Sequence, residues 1–329
     1  MCGHFLLLLF LGCYLRLVAR PGLRLWLFAL ALQVAALLTQ PYLAVMGLAV
    51  MGAVPLTLLL RRDRRWPAAA LGIAASLALF LGGLWALDYL GVTGGYGFGE
   101  FQMDALAPFW PGGSALNPWP VQAIGPWEGY NYLGAGLLLG LLALLLRSPA
   151  ELRRSLRYHA GLALAMLCLT LFAISQRPSV GGQVVADLSI IPDWLENLRS
   201  TGRFFWPVAY ALLAGAVLQA ARLPDRRHAG LLLAGIALFQ FADTAELRHG
   251  LRDRIANRES VWLFPAEAMR AEMAHHESLT LLPSWGCDQA EGSTAEQQYQ
   301  LQLLLMASET VLPTTTMYVA RWHHPPRCA

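Results

Sequence analysis

Residues 199–213 read RSTGRFFWPVAYALL, two arginines separated by three residues and followed at once by an apolar run. Whether this run crosses a membrane, and on which side its arginines then lie, decides the fold. Composition answers the first half. Of 329 residues, 56% are hydrophobic and only 14% are charged, against about 25% charged residues in a soluble domain. Such a chain hides most of its apolar surface in lipid rather than in one core. The net charge of +3 is too small to argue for nucleic acid, and no basic patch with interleaved aromatics revives that idea. All 24 basic residues are arginine. With the Ala, Leu, Gly and Pro load, this is the composition of a GC-rich bacterial genome.

A membrane-crossing helix needs about 20 apolar residues, or about 17 when short. The sequence offers eight runs, at 4–18, 25–39, 43–60, 66–88, 130–146, 158–175, 204–221 and 229–245. The first is not a secretory signal, because its basic residues follow the apolar run and no small-residue cleavage site comes after it. The second and third flank the break TQPY at 39–42 and read as a tight helical hairpin, one long bent span being the rival.

The arginines answer the second half. Arg16, Arg20 and Arg24 follow the first run, and Arg61, Arg62, Arg64 and Arg65 follow the third. Arg147, Arg153, Arg154 and Arg157 follow the fifth, and Arg222, Arg226 and Arg227 the seventh, so four short loops hold fourteen of the 24. Residues 91–129 hold none. The positive-inside bias puts the four basic loops in the cytoplasm. Residues 91–129, 176–203 and the tail after about 246 then lie outside a bacterial inner membrane. The fold class expected is mostly α: a polytopic bundle of about eight spans over 1–247, with a small extracytoplasmic α/β lobe over 248–329. Met1 falls outside in this scheme, so the chain is expected to be a piece of something longer.

Residues 91–129 are dense in Gly, Pro and Trp, with Glu100, Asp104 and Glu128 as their only charges. Gly and Pro set turns, and a loop this long is uncommon unless functional or disordered. Its aromatics argue against disorder and fit the headgroup level, where Trp and Tyr concentrate. The second loop runs from QRPSVGGQ into IPDWLENLRS, read as an interfacial helix with Asp193 and Glu196 near its start, where carboxylates favour the helix dipole. In the tail, SLTLLPS (278–284) and TMYVAR (316–321) read as strands on either side of a helix, TAEQQYQLQLLLMAS (294–308), giving a βαβ-like pattern.

Five cysteines are present. Cys13 and Cys168 fall inside spans and read as packing residues. Cys287 and Cys328 each follow a tail strand. Parallel neighbours would bring them together in an oxidising periplasm, so a Cys287–Cys328 disulfide is expected. A metal site using His275, His276, His323 and His324 is the rival, but zinc-type ligand spacing is missing.

Several stretches together resemble a known family. YGFGEFQMDALAPFWP leading to WEGYNYLGAGLL, then LRSTGRFFWPVAYALL, then LFQFADTAELR with the later PTTTMYVAR, resemble a family of uncharacterised multispanning bacterial membrane proteins. That family is similar to the GT-C fold glycosyltransferases. The likeness covers about residue 25 to the end. It implies transfer of a sugar from a polyprenyl-phosphate donor on the outer face. In GT-C enzymes the catalytic acid sits in the first outer loop, after the first span. Residues 19–24 are instead a short basic turn, so the chain resembles the C-terminal part of such an enzyme.

Arg199 and Arg203 are four apart and share a face if the segment is helical. Guanidinium forks bind two phosphate oxygens at once, which makes the pair the candidate anchor and leaving-group stabiliser for a lipid-linked sugar. The plain alternatives are snorkelling to ordinary headgroups or pairing with Glu196 or Asp193. An inverting transfer needs a carboxylate to take the acceptor proton, often with a divalent cation near the phosphates. Asp104 and Glu128 are the candidate catalytic groups. Glu100, Tyr130, Asn131 and Trp206 complete the candidate substrate contacts. No metal ligands are assigned. Asp88 and Asp243, at outer span ends, read as peripheral. GVTGGYGFG follows a span instead of a strand and lacks a lysine, so it is not a phosphate loop. A noncatalytic membrane protein that scaffolds or exports envelope polysaccharide is the competing class. A transporter would want more polar residues mid-span.

Overall fold

The structure is a computed structural model. It describes residues 3–90, 93–94, 98, 101–116, 127–188, 198–256, 262–282, 284, 294–317 and 321–322. Twelve α-helices dominate these residues. The chain divides into two compact units: residues 1–90 with 96–249, and 91–95 with 250–329.

The first unit is a helical bundle. Its helices are α1 (Phe5–Ala19), α2 (Leu23–Thr39), α3 (Pro41–Leu60), α4 (Trp66–Ala86), α5 (Ala135–Arg147), α6 (Pro149–Tyr158), α7 (Ala160–Ile174), α8 (Trp206–Ala221) and α9 (Arg226–Asp243). α3 is the central element and packs on α1, α2, α4 and α7. Met46, Val50, Val54 and Leu58 are at most 1% exposed along it. The TQPY break is a hairpin: α2 stops at Thr39, Pro41 opens α3, and Gln33 Nε2 donates to the Ala44 carbonyl at 3.0 Å. Proline suits the first helical turn because its missing N–H would have no partner there.

Burial separates the helices. In its most apolar window α3 is 56% buried and α4 only 17%. Leu71 and Trp85 on α4, Leu146 on α5 and Leu231 and Leu238 on α9 are all at least 70% exposed. An apolar surface this extensive is a membrane signature. Among the described residues, three helical stretches, Pro41–Leu60, Trp66–Ala86 and Thr201–Ala221, are long and apolar enough to cross a bilayer, and up to five if each bent pair counts as one span. α1, α2 and α7 are apolar but shorter, at 15–17 residues.

The two ends of the bundle differ. At one, the arginine-bearing turns meet: Arg65 reaches the Ala19 carbonyl at 3.5 Å, and the Arg61 guanidinium lies 3.8 Å from the centre of the Tyr158 ring. Residues 149–158, expected as loop, form a helix bent 103° from α5. Pro149 opens it, Glu151 occupies its first turn and Arg157 its last, the polarity the helix dipole favours. At the other end lie the long loops. There a two-residue hairpin joins β2 (Ser179–Val180) to β3 (Gln183–Val184) through Gly181 and Gly182, with φ of +63° and +84°. Positive φ at both central residues defines the turn type matched to strand twist, and glycine adopts it without strain.

In the second unit, Phe264, Met273 and Met306 form a small core, lined by α11 (Ala266–Met273) and α12 (Thr294–Glu309). α10 (Ala245–Ala256) precedes them. The expected βαβ-like pattern is reduced to one parallel bridge, Leu279 to Thr314, on either side of α12. The pairing segment is therefore earlier than 316–321. Next to the bridge, Leu281 N–H donates to the Thr315 side-chain hydroxyl at 3.3 Å. Arg321–Trp322 (β4) pairs antiparallel with Thr93–Gly94 (β1).

Candidate functional site

Three separate segments meet at the loop end of the bundle, backbone against backbone. Gly202 N–H donates to the Phe101 carbonyl at 3.0 Å. Asn131 Nδ2 donates to the Gly202 and Gly129 carbonyls at 2.9 and 3.2 Å. A Cβ at Gly129 would lie 2.0 Å from the Gln102 carbonyl oxygen, and one at Gly202 2.8 Å from the Gly129 Cα. Only glycine permits that approach. Ser200 N–H donates to the Tyr42 hydroxyl at 3.2 Å, tying the cluster to the start of α3.

These bonds correct the helical reading of the arginine pair. The amide groups of Ser200 and Gly202 are spent on Tyr42 and Phe101, so no α-helix runs through 199–203. Arg203 lies in a short 3₁₀ turn, Thr201–Phe205, and Arg199 precedes it. They still converge on one cluster. Arg199 sits over the Phe101 ring, 5.5 Å from its centre. Arg203 Nη2 pairs with Glu128 Oε1 at 2.7 Å, with the Tyr42 and Trp206 rings at 5.5 and 5.9 Å. Glu128 Oε2 is buried without a hydrogen-bond partner among the described residues, as are Gln102 Oε1 and Thr201 Oγ1 beside it. Buried polar atoms are almost always bonded, so three orphans on these loop-end segments stand out.

The other candidate carboxylate is fully committed. Asp104 is completely buried; Oδ1 accepts from the Leu106 and Gly181 amides at 2.9 and 3.0 Å, and Oδ2 from Gly182 at 2.8 Å. Burial alone would push its pKa up. The Gly182 and Leu106 amides, the Ser179 side chain and the Gly181 amide together outweigh that and hold it below the ordinary aspartate value. Asp104 therefore stays ionised as the clamp between the first loop and the β2–β3 hairpin. Asp243, expected to be peripheral, is 1% exposed. Its side chain accepts from Ser114 Oγ and from Ala135 N–H at 2.8 Å, capping α5, while its carbonyl accepts from Ala115.

Of the remaining candidates, Trp206 faces Arg203 and stacks at 4.2 Å on the His4 ring. Tyr130 is 40% exposed and outside this contact set. Glu100, the 191–197 segment with Asp193, Trp194 and Glu196, and the Cys287–Cys328 pairing lie outside the described residues. Cys13 and Cys168 are free thiols. No group of three metal-ligating side chains occurs among the described residues. Tyr42, Phe101, Gln102 and Thr201 are contributors that sequence reading missed. Tyr42 is flagged only by its place in the TQPY break, and the others only by adjacency to chosen residues.

No curated protein and no solved structure matches the chain. One family model does, a domain of unknown function termed DUF6311, over residues 1–245, the stretch that builds the bundle and the loop-end cluster. With most of its length matched, the chain belongs to the DUF6311 family.

Proposed function

We propose that the chain is a membrane-embedded, GT-C-like unit that binds a polyprenyl-phosphate-linked sugar at the loop-end cluster and takes part in transferring that sugar. In this reading α1, α2 and α7 cross the bilayer as well, giving about eight spans. The basic end faces the cytoplasm by the positive-inside bias, and the loop end and the tail face outward from the bacterial inner membrane.

The observation that carries the reading is the Glu128–Arg203 pair, with Glu128 Oε2 unbonded among the described residues and Arg199 on the same cluster. Arg199 and the remaining N–H groups of Arg203 bind the lipid phosphate. The acceptor hydroxyl attacks the anomeric carbon, the bond from that carbon to the phosphate oxygen breaks, and the lipid phosphate leaves with its charge against the arginines. The acceptor proton goes to Glu128 Oε2, the carboxylate oxygen that Arg203 does not hold. Asp104, with its lone pairs taken by amides, keeps the loops in place and moves no proton. A divalent cation would be held by Glu128 and the phosphate, and the chemistry above does not route through it.

The test is binding of a polyprenyl-phosphate-linked sugar to the intact protein and to R199Q and R203A. A loss of about 10-fold or more in each variant supports the reading, equivalent to about 1.4 kcal/mol. Equal affinity in all three proteins contradicts it.

A further inference from the structure

The basic end of the bundle holds a second site, distinct from the loop-end cluster. α1, α6, α7 and α8 border two cavities of about 360 and 530 Å³, within the roughly 300–1,000 Å³ range of ligand pockets. The first is walled by apolar side chains such as Leu11, Leu141, Leu162, Met166 and Val208. The second is rimmed by Arg154, Tyr158, Arg222 and a single carboxylate, Glu151. They adjoin, sharing Leu15, Ser155, His159, Leu218, Gln219 and Arg222. One end of the combined space is therefore oily and the other cationic.

Two details show donors in the polar half that have no carboxylate partner among the described residues. Neither Arg154 nor Arg222 has a carboxylate partner among the described residues. Arg222 Nη1 is satisfied only by Gln219 Oε1, at a long 3.5 Å. Gln219 itself is 7% exposed, and its buried Nε2 has no partner among the described residues. An amide donor buried on a cavity wall costs stability unless something accepts from it.

We infer that this pair of cavities binds one anionic phospholipid, its phosphate between Arg154, Arg222 and Gln219 and an acyl chain in the apolar half. Basic pockets between membrane helices on the arginine-rich side suit such headgroups, and α6, turned across the end of α5, places Arg154 at that level. The inference rests on the bundle being membrane-embedded and not on sugar transfer.

Native mass spectrometry of the full chain in detergent tests it, with phosphatidylglycerol, phosphatidylcholine and inorganic phosphate as probes. One phosphatidylglycerol should bind at least 10-fold more tightly than phosphatidylcholine, with millimolar phosphate unable to displace it. R154Q, on an exposed side chain, should cut this binding about 10-fold. So should filling the apolar half with G215L, since Gly215 lines that cavity and an added Cβ there meets nothing within 4 Å. Equal binding of the two lipids, or unchanged binding in R154Q, means ordinary lipid contact and overturns the inference. Displacement by inorganic phosphate, or unchanged binding in G215L, means a free-anion site and overturns it too. Binding of the polyprenyl-linked sugar is unaffected in either variant, so failure here leaves the loop-end reading standing.

Discussion

The two ends of the bundle are held by opposite means. At the loop end, irregular chain is fixed by buried polar bonds: Asp104 on three amides, Asp243 on Ser114 and the first turn of α5, Glu128 on Arg203. At the basic end, regular helices meet through apolar side chains. Some arginines there stack, as Arg61 does on Tyr158, some bond exposed partners, as Arg65 does with Asp63 and the Ala19 carbonyl, and Arg154 and Arg222 edge an open cavity. Loops carry no repeating hydrogen-bond ladder, so their backbone groups must be satisfied one by one. Carboxylates with two accepting oxygens do this economically. The same device leaves Glu128 conspicuous, because its second oxygen has no such use.

That contrast can be broken deliberately. The largest effect is expected at Asp243: D243A strands the Ala135 amide and the Ser114 hydroxyl, each at about 1–3 kcal/mol, and should lower the melting temperature clearly. G129V comes next. Its side chain would collide with the Gln102 carbonyl, and overpacking of this kind costs about 1–3 kcal/mol, with loss of the Arg203–Glu128 arrangement. A pair of variants, E128Q and R203Q, sharpens the comparison further. Arg203→Gln leaves a buried carboxylate without its counter-ion, so it should destabilise more than Glu128→Gln, and a double-mutant cycle should show coupling of about 1–3 kcal/mol.

Acid should act on the loop end selectively. The pKa of Asp104 is lower in the folded protein than the unfolded value of about 3.9. Its ionisation therefore contributes stability that is fully present above that unfolded value and disappears as the pH falls through the depressed folded one. D104N should be less stable at neutral pH and should lose this part of the acid dependence, read as melting temperature across pH 2–7. The smallest effect is at Arg154, where R154Q should change stability by less than about 0.5 kcal/mol, as for most exposed positions.

Charge counting along the sequence separates the arginine-rich turns from the long loops and draws attention to Arg199 and Arg203, because the placement of arginines is written in the sequence itself; Glu128 draws attention by its aromatic neighbours. The TQPY hairpin was legible for a similar reason: proline and a short polar break have local consequences. What stayed hidden depended on distant partners. Asp104 reads as a catalytic candidate in the sequence, where its contact with Gly181, 77 residues away, is invisible, and Tyr42 bonds Ser200, 158 residues away. Asp243 looked peripheral because it closes a helix end whose partner, Ala135, is 108 residues earlier. α6 has no apolar run to mark it, and its only local signature is its capping pattern, Pro149 and Glu151 at the start and Arg157 at the end.

Everything proposed for either end depends on their lying on opposite sides of a membrane, and labelling with a membrane-impermeant maleimide tests this directly. In a background with the five native cysteines replaced, L116C reports on the loop end and R64C on the basic end, both at exposed positions. The account predicts that L116C is labelled in intact spheroplasts and R64C only after the membrane is permeabilised. Labelling of both before permeabilisation, or of R64C alone, would contradict it.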